Sequence, residues 1–271
     1  MQYVEVAAPS PLDELVRCFW FLRGEDLGTD AQVIVPDGRL ELILHLGEPF
    51  QCVDERERAH VQASALVSGQ LTAPLRLRPS GLADVVGIRF RTAAARTVLS
   101  HPLAELTDRV EPLADVLPQL ARSLESAVAG NNSVPERVQA IAQVLTRFVV
   151  RTPDPLATAV IRSLGSPQAV RLSFIADHYG VTARTLERKV RDHAGLPPNV
   201  LRRLIRFRRA FRMLDQAPAG TWAQVATRAG YFDQAHLIRD FHQFAGAAPS
   251  DFFGAGPDLA RAILGVDDEA A

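Results

Sequence analysis

The 271-residue chain has little of what marks several protein classes. It holds two cysteines, Cys18 and Cys52, too few and too far apart for a disulfide framework or a metal-spaced cluster. No apolar run nears the roughly 20 residues that a membrane-spanning helix needs. The opening residues, MQYVEVAAPS, have neither the basic start nor the apolar core of a signal peptide. A cytoplasmic protein with no membrane partner is therefore expected. A glycine-rich phosphate loop, a Ser-His-Asp arrangement and paired catalytic carboxylates are all missing, so neither an enzyme nor a cofactor is expected. What remains is of ordinary globular composition, 47% hydrophobic and 23% charged, in a length that suits two domains.

The net charge of −1 conceals an asymmetry. Residues 155–255 carry fourteen Lys and Arg against seven Asp and Glu, a balance of +7. Residues 1–154 carry fifteen against twenty, and the tail 256–271 one against four. Positive charge gathered on one segment is what contact with nucleic-acid phosphates requires.

That same segment contains a pattern written twice. Ala176, Gly180, Leu186, Val190, Gly195, Pro198 and Leu201 recur as Ala226, Gly230, Leu237, Phe241, Gly246, Pro249 and Phe252. Every interval matches except Gly-to-Leu, which gains one residue in the second copy. Each copy reads as a short apolar helix, a turn at a glycine, a polar cap (Thr182, then Asp233) and a second helix. This is the local logic of a helix-turn-helix, whose second helix enters the DNA major groove. The first such helix, expected over 183–193, buries Leu186 and Val190 and shows Arg184, Glu187, Arg188 and Arg191 on its opposite face. Arg can bond guanine with two hydrogens, and Glu can accept from cytosine. The second presents Gln234, Ala235, His236 and Arg239 around Leu237 and Phe241, and Gln suits adenine. Between them Val200, Leu204, Phe207, Phe211 and Leu214 mark the seam of a long helix. A stiff spacer of that kind would let both heads of one monomer enter grooves one DNA turn, roughly 34 Å, apart.

The first hundred residues read mostly as strands, so the whole is an α+β chain. Leucines at every second position in Leu40–Leu46 give a strand with one apolar face. Further strands are expected at 32–35, 65–68, 75–78 and 84–90, in a small antiparallel sheet or barrel. Pro11–Phe21 reads as a helix or a helix–strand junction. From residue 92 the period turns helical, with short helices at 92–99 and 102–106 and longer ones at 118–128 and after Pro135. Asn131-Asn132-Ser133 breaks the chain between them. Arg151-Thr152-Pro153-Asp154-Pro155 is the expected boundary, since two prolines in three residues cannot continue a helix. The division is thus 1–152 (β-rich 1–91, helical 92–152), 153–255 and an acidic tail 256–271.

Gly230-Tyr231-Phe232-Asp233-Gln234-Ala235-His236-Leu237-Ile238-Arg239-Asp240-Phe241, followed by Gly246, Pro249-Ser250 and Phe252, resembles the signature of the AraC/XylS family of bacterial transcription regulators. The likeness covers about residues 155–255. It implies a helical domain of about seven helices that binds promoter DNA and touches RNA polymerase when it activates. By position, Arg184, Glu187 and Arg188 match the family's base-reading face in the first motif, with Thr182, Thr185 and Arg191 beside them. Gln234, Ala235, His236 and Arg239 match it in the second, after the cap Asp233. Ala235 departs toward a side chain that offers at most contact with a thymine methyl. Arg206 falls where the family often carries an arginine on its linking helix. Pro36-Asp37-Gly38, Gly69-Gln70 and Gly87-Ile88-Arg89-Phe90 are similar, more loosely, to the sensor-type domains that precede this module. Such a domain usually binds a small-molecule effector or mediates homodimerisation.

Asp37, Arg39, Glu41 and His45 are the residues expected to line a polar effector pocket, although a solvated sheet face would explain them as well. A metal site needs two or three converging histidines with a carboxylate. His45 has only Glu41 on its face, and His60 and His101 lie at unrelated positions, so no metal is expected. Cys18, beside Phe19-Trp20-Phe21, reads as an inert core thiol rather than a redox sensor. Two rival readings stay open here: an N-terminal small-molecule-modifying enzyme, and a module that regulates through protein contacts alone.

Overall fold

A strand covered on both faces needs apolar side chains at nearly every position, and Val16–Gly24 is such a run. In the computed structural model it is β2, paired to β1 (Gln2–Ala7) on one side and to β9 (Ala83–Phe90) on the other. The structure describes residues 1–25, 27, 28, 30–130, 133–166, 171–216, 222–256 and 260. Asn131, Asn132 and nearly all of the acidic tail expected at 256–271 lie outside them. The remaining strands are β3 (Gln32–Ile34), β4 (Glu41–His45), β5 (Gln51–Val53), β6 (Ala59–Val61), β7 (Ala65–Ser68), β8 (Leu75–Arg78) and β10 (Val110–Pro112). They form two antiparallel sheets, ordered β1-β2-β9-β4-β7-β10 and β3-β8-β5-β6.

The larger sheet is buried on both sides. One face carries Phe19, Phe21, Leu42, Leu44, Val67, Val86 and Ile88 into a core closed by α2 (Pro118–Val128) and α3 (Val134–Phe148), after the single turn α1 (Leu113–Val116). Ser133 and Glu136 form a reciprocal cap at the start of α3. The other face sets Trp20, Leu22, Ile43 and Val85 against Ile34 and Leu77 of the smaller sheet.

Of the two readings open for Pro11–Phe21, the helix–strand junction is the one present: the 3-10 turn Leu12–Glu14 leads into β2, where pairing on both edges overrides the helical spacing of Leu15, Val16 and Phe19. One local expectation needs correction. Residues 92–99 and 102–106 give only the 3-10 turns Ala95–Thr97 and Leu103–Leu106, too short to propagate a helix.

The C-terminal half has seven helices among the described residues: α4 (Pro155–Leu164), α5 (Leu172–His178), α6 (Ala183–Ala194), α7 (Pro198–Gln216), α8 (Trp222–Ala229), α9 (Gln234–Ala245) and α10 (Pro249–Gly254). Their centre is aromatic. Phe207 of α7 meets Phe241 and Phe244 of α9 at ring separations of 5.0 and 5.3 Å. Asp240, buried on α9, takes both Nε and Nη2 of Arg203 on one oxygen at 3.0 and 2.8 Å, which ties the same helices together. Val35 and Ala93 of the sheet half are buried in this core, so the two halves are docked.

Candidate nucleic-acid interface

The duplicated spacing is duplicated geometry. In the first copy the chain leaves α5 through Gly180 (φ 62°), and the Val181 N–H donates to Ala176 O at 3.0 Å. In the second it leaves α8 through Gly230 (φ 90°), and the Tyr231 N–H donates to Ala226 O at 2.8 Å. Thr182 Oγ1 caps α6 by accepting from the Thr185 N–H at 3.1 Å, and Asp233 Oδ1 caps α9 by accepting from the His236 N–H at 2.7 Å. Both helices end at a left-handed glycine, Gly195 and Gly246. Since Val181 and Tyr231 are equivalent, the inserted residue is Phe232, which is 92% exposed.

On α6 the anchors Leu186 and Val190 are buried, while Arg184, Glu187, Arg188 and Arg191 are exposed. Together with Thr182, Thr185, Asn199 and Arg202 they line an open groove of about 810 Å³. Asn199 has no signal in the sequence, because nothing local says which side of α7 faces α6. On α9, Asp233, Gln234, Ala235 and Arg239 are exposed around buried Leu237 and Phe241. His236 is half-buried: its ring lies edge-on to Tyr231 at 5.1 Å, and Nε2 is 3.3 Å from Arg206 Nη2. Arg206 also sits 4.9 Å over the Tyr231 ring and 3.8 Å from Asp240. It is thus a brace between α7 and α9 before it is anything else.

Arg202 and Arg206 lie one turn apart on α7. The first borders the groove beside α6, and the second touches half-buried His236 in the first turn of α9, so one side of α7 meets both helices.

A second cavity, about 70 Å³, lies between the two sheets. Among its walls are Tyr3, Trp20, Ile43, Phe50, Leu71, Leu75 and Leu77, with Glu41 and His45. The strand alternation puts Glu41 and His45 on an enclosed face rather than a solvated one. The other two residues expected beside them go elsewhere. Asp37 Oδ2 is 3.3 Å from Arg89 Nε, and Arg39 turns to the seam between the two halves. Arg89, buried, also meets Glu41 at 2.5 Å and Glu5 at 2.8 Å. Burial raises the Glu41 carboxyl above the usual range despite Arg89, and the charge of Asp37 adds to the rise. Burial lowers the His45 imidazole to about 4 against its hydrogen bond with Gln62, so this ring is neutral at pH 7. With Nε2 hydrogen-bonded to Gln62 Oε1 at 3.2 Å, Nδ1 is left buried with no protein partner. Burial likewise pushes the Cys18 thiol up to about 12. Among the described residues no group of three or more His, Cys, Asp or Glu is placed to hold a metal ion.

The segment between β7 and β8 joins the two sites. Leu71 and Leu75 wall the inter-sheet cavity. Gln70, just before them, packs on Gly195, where an added Cβ would stand 2.9 Å from its side chain. Thr72 O accepts from Gln243 Nε2 of α9 at 3.0 Å, and Pro74 faces Gly246. One short run of the sheet half thus abuts the C-terminal ends of both reading helices. The 103–108 segment adds a hydrogen bond from Thr107 Oγ1 to Gly195 O.

Residues 4–112 match a domain of unknown function (DUF6597), and residues 175–255 match a helix-turn-helix domain. None of the curated proteins matches the chain. Among solved structures it is similar to ToxT from Vibrio cholerae, at 12% identity and a TM-score of 0.45 over 87% of this chain and 97% of that one. A structure of wild-type ToxT from V. cholerae strain SCE256 bound to unsaturated fatty acid is similar at 14% identity and a TM-score of 0.43, over 92% of this chain and 98% of that one. The AraC-like transcriptional activator CuxR is similar at 14% identity and a TM-score of 0.25, over 87% and 89%. The match over residues 175–255 coincides with the paired motif, so the C-terminal half of this chain carries a helix-turn-helix domain of the AraC/XylS type.

Proposed function

We propose that this regulator reads a specific promoter site with α6 and α9 as a pair, under the control of a small ligand held between its two sheets. The observation that carries the reading is the repeated cap, turn and exposed polar face of α6 and α9. In this scheme arginine–phosphate contacts supply most of the affinity, and Arg184, Glu187, Arg188, Gln234 and Arg239 supply sequence preference. Contact with RNA polymerase accompanies activation. The test is selection of bound fragments from genomic DNA by the full chain, followed by footprinting. Two protected major-groove patches about one turn apart are expected; a single patch, or protection indifferent to sequence, would refute paired reading.

The inter-sheet cavity supports a compact, largely apolar ligand that brings a hydroxyl or N–H donor. Neutral His45 offers an unused acceptor at Nδ1, and the raised Glu41 accepts without demanding a full counter-charge. A ligand pressing on Leu71 and Leu75 would move the 69–74 segment against both helix ends, which changes their relative placement. Thermal-shift screening of small alcohols, phenols and amines tests this. The hits should lose their effect in Leu71→Trp, which fills the cavity; unchanged shifts would place binding elsewhere.

A further inference from the structure

A cavity of about 360 Å³ lies at the seam of the two halves, outside both sites described above. Six guanidinium groups line it: Arg39 and Arg91 from the sheet half, Arg162 from α4, and Arg208, Arg209 and Arg212 from α7. No carboxylate lines it among the described residues. Two of the arginines are held in place by neutral backbone oxygens, which fix geometry without cancelling charge. Arg209 Nη2 donates to Gly165 O at 3.0 Å, and Arg91 Nε donates to Asp13 O at 2.8 Å. Thr92 and Thr158 add hydroxyls to the wall, and Thr158 Oγ1 is sealed from solvent with no protein hydrogen-bond partner.

We infer that this seam is a binding site for a multiply charged phosphorylated small molecule. Arg91 and Arg209 keep their charge beside neutral backbone oxygens, and the field they set up in the concavity concentrates anions there. The planar guanidinium fork matches phosphate oxygens in pairs, which favours a polyphosphate over a single halide or carboxylate. No lining residue belongs to α6 or α9, so the site is separate from the reading faces. Because its walls come from both halves, an occupant would hold the docked arrangement together and stabilise the whole chain.

The same oxyanions are carried by a DNA backbone, and the experiment separates the two sources. The full chain, without DNA and at physiological ionic strength, is titrated with inorganic tripolyphosphate by calorimetry. One saturable site is expected, with affinity reduced at least tenfold in Arg39→Gln and in Arg212→Gln, and changed less than twofold in Arg122→Gln, an exposed arginine on α2. Absence of saturable binding to the unmodified chain overturns the proposal, whatever the variants do. So does an equal loss in all three variants, which would mean general charge attraction. If Arg39→Gln and Arg212→Gln weaken duplex binding while tripolyphosphate binding is untouched, these arginines serve the DNA backbone and the proposal fails. Should an arginine variant not fold, Thr158→Val replaces it, with a loss of at least threefold expected.

Discussion

Thr107 Oγ1 donates a hydrogen bond to the carbonyl oxygen of Gly195 at 2.5 Å, from the sheet half to the residue that ends the first reading helix. Like the bond from Gln243 to Thr72, it ties a helix-turn-helix unit directly to the sheet half. Thr107→Val keeps the shape and removes the donor. It should cost about 1 kcal/mol, read as a lower urea midpoint for the intact chain. An unchanged midpoint would show that this contact contributes nothing to docking.

Gly195 and Gly180 both hold positive φ, 77° and 62°, but their surroundings differ. A Cβ at Gly180 would meet nothing within 4 Å, whereas at Gly195 it would press on Gln70 and on Leu103 O at 2.9 and 3.2 Å. Gly180→Ala should therefore cost only the backbone penalty of about 1–2 kcal/mol. Gly195→Ala should cost more and loosen the interface, seen as faster proteolysis between the halves. Equal losses at the two positions would contradict the packing described.

Arg184→Ala should weaken binding to the cognate duplex by about 1–3 kcal/mol and relax preference at one base pair. Competition between cognate and scrambled duplexes checks this. A loss of the same size on both would assign Arg184 to phosphate rather than to a base edge.

The buried His45 makes stability depend on pH. In the unfolded chain the imidazole takes up a proton below about pH 6.5, and in the fold only near pH 4. Between those values the unfolded state binds the extra proton. Stability is thus complete above about pH 6.5 and falls by roughly 3 kcal/mol as the pH drops toward 4. The raised Glu41 acts with the opposite sign, because the fold holds its proton more tightly. His45→Gln removes only the histidine's share, so its urea midpoints at pH 7.5 and 4.5 should differ less than those of the parent chain. Parallel losses would mean that His45 is not desolvated.

The helical half is readable from local pattern because its chemistry is local. Thr182 and Asp233 announce the caps, Gly195 and Gly246 the ends, and Leu186, Val190, Leu237 and Phe241 the buried stripe, so α6 ends one residue beyond the expected 183–193 and α9 starts directly after its cap. The sheet half is less open to such reading. β2 escapes because an apolar run covered on both faces has no period of two, and three-residue strands such as β5, β6 and β10 have no period at all. Alternation along β4 tells which residues share a face, and Glu41 and His45 do share one. It does not tell that the face is enclosed, since that depends on a second sheet many residues away. The same holds for Gln70, Thr107 and the seam arginines. Their partners are set by how the halves dock, and no local pattern records docking.

Phe232 lengthens the second turn by one residue, and Ala235 presents a methyl where the first head presents charged groups. The two heads are consequently unlike, and a tandem of unlike heads has a front and a back. Under the paired reading proposed above, such a molecule would seat on an asymmetric stretch of duplex in one direction only.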